Sequence, residues 1–374
     1  IFKMQQSTIT YIIKFLIDEN IPDEIIDAIG YTSNTQEFGK YKLVIKPSGF
    51  FDKDVYGTDK SLPELPLKIW EELPILFGEP TVEKIDETTI LNADLVASAF
   101  FMLTRYEEFV RKDVRDTHGR FPGKESLPYR AGFIDRPLID EYTQRLQKLL
   151  RELGFEIPEA EKRIRKIYLT HDADNITHFR NVKSLAGALL RGIKRRKEAS
   201  KALKSFFGGL RFDPWYNFPF LYKINGSLIQ KLGTERCETI LFMRASTSRR
   251  KEDKPIPNLV HPDYQHLIKY SKRKGVRIGL HASYAAGIKP DLIAEEKKRL
   301  EHHAKIEVCC NRHHFLNARE PFDMIALLHA GITHDFSMGY ADMAGFRLGT
   351  CRPVQWINLL TGEVTSLTLH SLEI

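Results

Sequence analysis

The stretch Ile167-Tyr168-Leu169-Thr170-His171-Asp172-Ala173-Asp174 decides how this chain is read. It opens as an apolar run with a β-branched residue and an aromatic, the composition of a buried strand. It closes on His171, Asp172 and Asp174. Two carboxylates and an imidazole at the end of a buried strand repel one another and are costly to desolvate. A cation, or a division of labour between base and ligand, would offset that cost. An Asp-Ala-Asp-Asn sequence also suits a polar turn, where Asp and Asn hydrogen-bond their own backbone. Taken alone, the stretch fits either reading.

The surroundings narrow the choice. At 374 residues the chain is long for a single core, so two domains are expected. Its 42% apolar and 28% charged residues are those of a folded globular protein, and no apolar run is long enough to cross a bilayer. The chain starts at Ile1, not Met, so a trimmed start is expected. Cys237, Cys309, Cys310 and Cys351 form no CxxC pair. They point to a reducing, cytoplasmic setting.

The domain boundary is placed near Pro158-Glu159-Ala160-Glu161, giving an α+β domain over 1–160 and a second domain over 161–374. In the first, helices are expected over 9–17, 22–29, 94–111 and 138–153, with a strand over 41–46. Gly154 is the expected stop of the last helix. The segment 113–128 holds His118 and Arg120, read as a surface loop satisfied by its own hydrogen bonds.

From Arg163 onward, short apolar strands are expected over 164–170, 239–243, 276–280, 306–310, 332–333, 346–350 and 366–369. Helices between them, over 263–274, 291–303 and 321–329, indicate an α/β arrangement with parallel strands. An insertion at about 178–235 carries a basic run around Arg191, Lys194, Arg195, Arg196 and Lys197. It suits an acidic polymer or a membrane surface, but is read here as a solvated helix face. Aromatics are not interleaved with that run, which argues against nucleic acid. Beyond it, Phe212 to Phe218 includes Trp215, a residue suited to a sugar groove or to packing under the loop.

Five strand ends carry the chemistry: His171-Asp172-Ala173-Asp174, His281-Ala282-Ser283-Tyr284, Asn311-Arg312-His313-His314-Phe315, His334-Asp335-Phe336 and Leu367-Thr368-Leu369-His370. In parallel α/β folds such ends converge on one face, where active sites are built. Asp and His gathered there suit a divalent metal, with zinc favoured by imidazole nitrogen.

The order and content of these motifs resemble the polysaccharide deacetylase (NodB homology, carbohydrate esterase 4-like) superfamily, in a divergent branch whose first motif reads Thr-His-Asp-x-Asp. Phe100 to Glu108 and His118-Gly119-Arg120-Phe121-Pro122 resemble the uncharacterised domain that precedes the barrel in that branch. The resemblance implies a distorted (β/α) barrel of about seven parallel strands. It also implies removal of acetyl groups from an N-acetylated glycan by a metal-bound water. Position by position, Asp172 would be the general base, Asp174 and His281 metal ligands, Arg312 the residue orienting the base, and His370 the acid toward the leaving amine. Asp335 matches the fourth motif. Phe315 and Tyr284 would line the substrate groove, with Trp215, and Arg347 would contact substrate or an acidic partner. The family's second metal histidine, four residues after His281, is here Ala285. His314, ahead of His313, is the expected replacement. The rival readings are an amidohydrolase for a small non-sugar amide, and a carbohydrate-binding protein that has lost its metal.

Overall fold

The structure is a computed structural model that describes residues 4–18, 21–158, 164–192 and 196–372. Glu159, Ala160 and Glu161 of the expected boundary, and Lys194 and Arg195 of the basic run, lie outside the described residues. The fold is mixed α/β, and it divides into two compact units, residues Ile1–Glu161 with Phe315–Ile374 and residues Lys162–His314.

The first unit contains a sheet in the order Ile29–Tyr31, Leu43–Ile45, Thr88–Ala93, Gly78–Ile85, the first three parallel and the last antiparallel. Helices Gln6–Ile17, Leu95–Leu103 and Leu138–Glu152 belong to this unit. The last ends at Gly154, whose φ of 90° is open to glycine at little cost. The helix expected over 94–111 is broken. Arg105 takes a left-handed φ of 54° between Leu95–Leu103 and Tyr106–Val110. Its guanidinium is buried against Glu320 and Glu108, and those ion pairs override the local helix propensity. Residues 113–122 form the expected loop, and the 3₁₀ turn Gly123–Glu125 and the short helix Leu127–Arg130 follow it. Asp116 accepts from the backbone N–H groups of His118 and Arg120 and from the Arg120 side chain. The loop also reaches Phe315, whose carbonyl accepts from Arg120 at 3.0 Å.

Strands His334–Met338 and Val364–Ser371 pair in parallel in this unit, but Val354–Ile357 runs antiparallel to Val364–Ser371. This corrects the expectation that all the later strands run in parallel. No strand forms over 346–350 either. There the backbone turns, with Gly349 at φ 67°, and hydrogen-bonds Ile134 and Ile139 instead of a sheet neighbour.

The second unit has four parallel strands in the order Ile167–Ala173, Cys237–Met243, Arg277–Ala282, Cys310–His313. Crossover helices Pro262–Arg273 and Leu292–Ala304 join them as the alternating pattern predicts, and Phe218–Leu232, within the insertion, makes the first crossover. The register sets Asp172 beside Phe242 and His281 beside Arg312, so the polar ends lie at one edge of the sheet. Gly279 makes this packing possible. A Cβ there would fall 2.7 Å from the Phe242 ring and 3.1 Å from the Cys310 carbonyl.

Candidate metal centre

Alternation along Ile167–Ala173 sends Thr170 and Asp172 to one face and His171 to the other. His171 Nε2 lies 2.7 Å from Asn225 Nδ2, away from the other motif residues, and burial lowers its pKa. Thr170 and Asp172 are both held by Arg312. Nη1 donates to Asp172 Oδ1 at 3.0 Å and Nη2 to Thr170 Oγ1 at 2.8 Å. The Arg312 guanidinium also sits 4.7 Å over the Phe242 ring, which adds cation–π attraction to the clamp. With Oδ1 anchored, Asp172 Oδ2 is left 4.0 Å from His281 Nε2.

Asp174, His281 and His314 form the one group among the described residues whose donor atoms could hold a metal ion. Asp174 Oδ1 is 3.3 Å from His281 Nε2 and 3.3 Å from His314 Nδ1, and those nitrogens are 3.1 Å apart. The outer nitrogens face carbonyls, His281 Nδ1 the Arg312 oxygen at 2.8 Å and His314 Nε2 the Glu252 oxygen at 3.0 Å. A carbonyl can only accept, so in the neutral rings those nitrogens carry the protons. Both inner nitrogens then present lone pairs, and Asp174 Oδ1 is buried without a hydrogen bond of ordinary geometry. In that neutral form three acceptors face one another with no proton between them. Tetrahedral ligands at zinc bond lengths stand roughly 3.3 to 3.4 Å apart, and these edges fit a small divalent cation.

The electrostatics agree. Burial raises the Asp174 carboxyl, but with a proton on the facing imidazoles the His281 hydrogen bond and the charges of His281, His314 and Arg244 outweigh it and hold the group at about 2. A cation in the place of that proton therefore meets an ionised carboxylate. Burial, helped by His281, lowers the pKa of His314, which keeps the ring neutral and able to ligate.

Of the residues expected at the site, Asp172, Asp174, His281, Arg312 and His314 come together in the second unit. His314 stands where the Ala285 departure left a ligand wanting. Ala285 has its N–H held by Asp253 at 3.1 Å and lines an open cavity of about 620 Å³ with Ser246, Lys289 and Glu296. His313 turns the other way, toward Asn311 at 3.0 Å. Tyr284 is buried beside Ala285, with its N–H on the other Asp253 oxygen. Trp215 packs 4.3 Å from the His178 ring.

Asp335, His370, Phe315 and Arg347 belong to the first unit. Asp335 accepts from the Ser337 N–H and hydroxyl, and His370 lies 3.0 Å from His334 and stacked on Phe336. Phe315 has a left-handed φ of 62° and its ring is 5.0 Å from that of His118. Arg347 is buried in a bidentate pair with Glu108.

Sequence reasoning missed Thr170, Phe242 and Arg244. Thr170 was legible from period-two alternation with Asp172. Arg244 follows a buried strand directly, and its Nη2 donates to the Asp174 carbonyl at 2.7 Å. Nothing in the sequence flags Phe242 as the ring beneath Arg312.

Residues 2–155 match a family of unknown function, DUF7033. No curated protein matches the chain. Among solved structures, one match is a crystal structure described as a "putative polysaccharide deacetylase from Mycobacterium smegmatis", 14% identical, with a TM-score of 0.31. It covers 58% of this chain and 62% of that one, so less than two thirds of that protein is spanned. A likeness this distant carries no functional weight. No helix among the described residues is long and apolar enough to cross a membrane.

Proposed function

We propose that this protein is a metal-dependent hydrolase that removes acetyl groups from an N-acetylated glycan. The observation behind the reading is the acceptor-only triad Asp174, His281 and His314, set beside a carboxylate that has one oxygen tied down and one directed at the triad. A divalent ion held there supplies an acidified water and polarises the acyl carbonyl, and the donor set suits zinc.

The chain's own residues do the rest. Arg312 fixes Asp172 through Oδ1, leaving Oδ2 to take a proton from the attacking water. The carbonyls of Arg312 and Glu252 lock the ring orientations and tautomers of His281 and His314, the usual role of groups behind metal-bound imidazoles. The buried Arg244 braces the Asp174 backbone and brings positive charge near its carboxylate. Return of a proton to the leaving amine is assigned to His370 on the resemblance alone, and the triad's chemistry does not depend on it. The glycan, too, rests on the resemblance, since fold does not set substrate.

The test is calorimetric titration of chelator-stripped protein with Zn²⁺, Mn²⁺ or Co²⁺, followed by an acetate-release assay on an N-acetylated oligosaccharide. A single ion per chain, lost in Asp174→Ala and in His314→Ala, together with chelator-sensitive acetate release, is expected. Absence of binding, or binding undiminished in both variants, overturns the metal centre. Binding without acetate release keeps the centre and rejects the glycan.

A further inference from the structure

The insertion at about 178–235 carries 12 Lys and Arg against 3 Asp and Glu, a net +9 in a chain whose total is +7. The remainder therefore carries −2. Charge alone suits a solvated helix face. The exposure pattern of its helices does not.

In Val182–Gly192, the inward face is Leu185 and Ala188, which pack with Phe179, Ala202 and Phe206. A solvated helix would be polar on its other face. Here the exposed residues Val182, Ala186, Leu189 and Leu190, the last 74% exposed, stand among Lys183 and Arg191. In Arg196–Gly208, Ala202 and Ser205 are buried. Outward, Lys197, Lys201 and Lys204 recur at helical spacing beside Leu203 and Phe207, the latter 76% exposed. Phe218–Leu232 repeats the arrangement. Phe220, Ile224 and Leu228 are exposed at four-residue spacing, with Lys223 and Lys231 among them.

Of the three acidic residues, Glu198, Asp213 and Glu235, two are taken up locally. Asp213 is buried, accepting from the N–H groups of His178, Phe179 and Trp215 and from the Ser205 hydroxyl. Glu198 is paired with Arg191 at 2.8 Å.

Large apolar side chains standing out from helices flanked by lysine are the makings of an element that lies in a membrane interface. The apolar groups enter the acyl boundary while the cations stay among the headgroups. We infer that these three helices form a docking surface for an anionic lipid membrane, which would hold the protein peripherally. An acidic protein or a soluble polyanion would use the lysines but leave Leu190, Phe207 and Phe220 without a role. The inference stands whether or not the hydrolase reading holds.

The test is co-sedimentation of the purified full chain with phosphatidylcholine vesicles and with vesicles containing phosphatidylglycerol. Binding at least roughly tenfold stronger to the anionic vesicles is expected, weakening as salt is raised. The triple variant Lys197→Glu, Lys201→Glu, Lys204→Glu and the double variant Leu190→Ser, Phe207→Ser should each bind at least roughly tenfold more weakly. All five positions are exposed, and circular dichroism checks that the variants fold. Equal binding to both vesicle types, no vesicle binding, or wild-type binding by the charge variant overturns the inference. So does heparin binding without vesicle binding, which assigns the charge to a soluble polymer. So too does self-association abolished by the apolar variant in protein that ignores vesicles, which assigns the face to a second copy.

Discussion

In the first unit, Arg105 is buried between Glu320 and Glu108, Glu108 also takes a two-pronged contact from Arg347, and Trp356 Nε1 donates to Glu320. Each charge there meets an opposite charge. In the second unit, Asp174, His281 and His314 bring three acceptors together, and the rings' protons face outward. Two carboxylates, one in each unit, run against that contrast. Asp323, buried in the first unit, is pushed up to about 8, chiefly by desolvation that its backbone hydrogen bond and nearby arginines do not offset. Asp174 is held at about 2, because protonated His281 and His314, with Arg244, outweigh its burial. A buried polar cluster whose charges are matched reads as architecture, even though Arg105 Nε and Nη1 make no hydrogen bond of ordinary geometry. One with its acceptors converging on a common point reads as a site.

The comparison can be broken at several points. The largest effect should come from Asp172→Asn, which is expected to lower kcat by roughly 10²- to 10⁴-fold, the usual worth of a general base. Metal content by elemental analysis should not change. If the ion is lost as well, Asp172 is a ligand and the division between Asp172 and Asp174 is wrong.

Next comes the first unit's network. Arg105→Met leaves Glu320 without its guanidinium, and breaking a buried pair costs roughly 3–5 kcal/mol. Thermal unfolding should show a large fall in Tm. A variant as stable as the wild type would mean that this cluster is not architectural.

Asp323 provides a pH test. Its folded pKa is raised, so its contribution to stability is complete below about pH 4 and is lost as pH climbs to about 8. Asp323→Asn should flatten that slope, worth at most about 1.4 kcal/mol per pH unit. Urea midpoints at pH 5 and pH 8 for both proteins decide the matter.

The smallest effect is expected from Thr170→Val. It removes one hydrogen bond to Arg312 and should cost about 1 kcal/mol, a several-fold loss of kcat. A wild-type rate would show that Asp172 and Phe242 position Arg312 without Thr170.

Much of this was legible beforehand because it is local. Apolar runs at strand spacing located three of the four parallel strands. The fourth, expected over 306–310, forms over Cys310–His313 and so takes Arg312 into the strand itself. Asp, His and Arg at strand ends marked the chemistry. Stacking parallel strands brings such ends to one edge. The identity of the third ligand was legible only as a choice among neighbours. His313 and His314 are adjacent, and a strand that ends between them sends one toward Asn311 and the other toward Asp174.

Other features were set by distant contacts. No local pattern shows that Arg105 will leave the helical region for Glu320, a partner 215 residues away. Nor does one show that Arg347 will meet Glu108, or that the 346–350 run will bond to a loop. The insertion shows the same limit. Its lysines are plain in the sequence, but which apolar residues face outward depends on which face Phe179 and Ala202 cover. Composition and periodicity, then, determined the α/β character, the first three parallel strands and which side chains can do chemistry, because those follow from spacing along the chain. Tertiary structure alone decided which of those side chains meet and which buried charges are matched, because both depend on partners far apart in sequence.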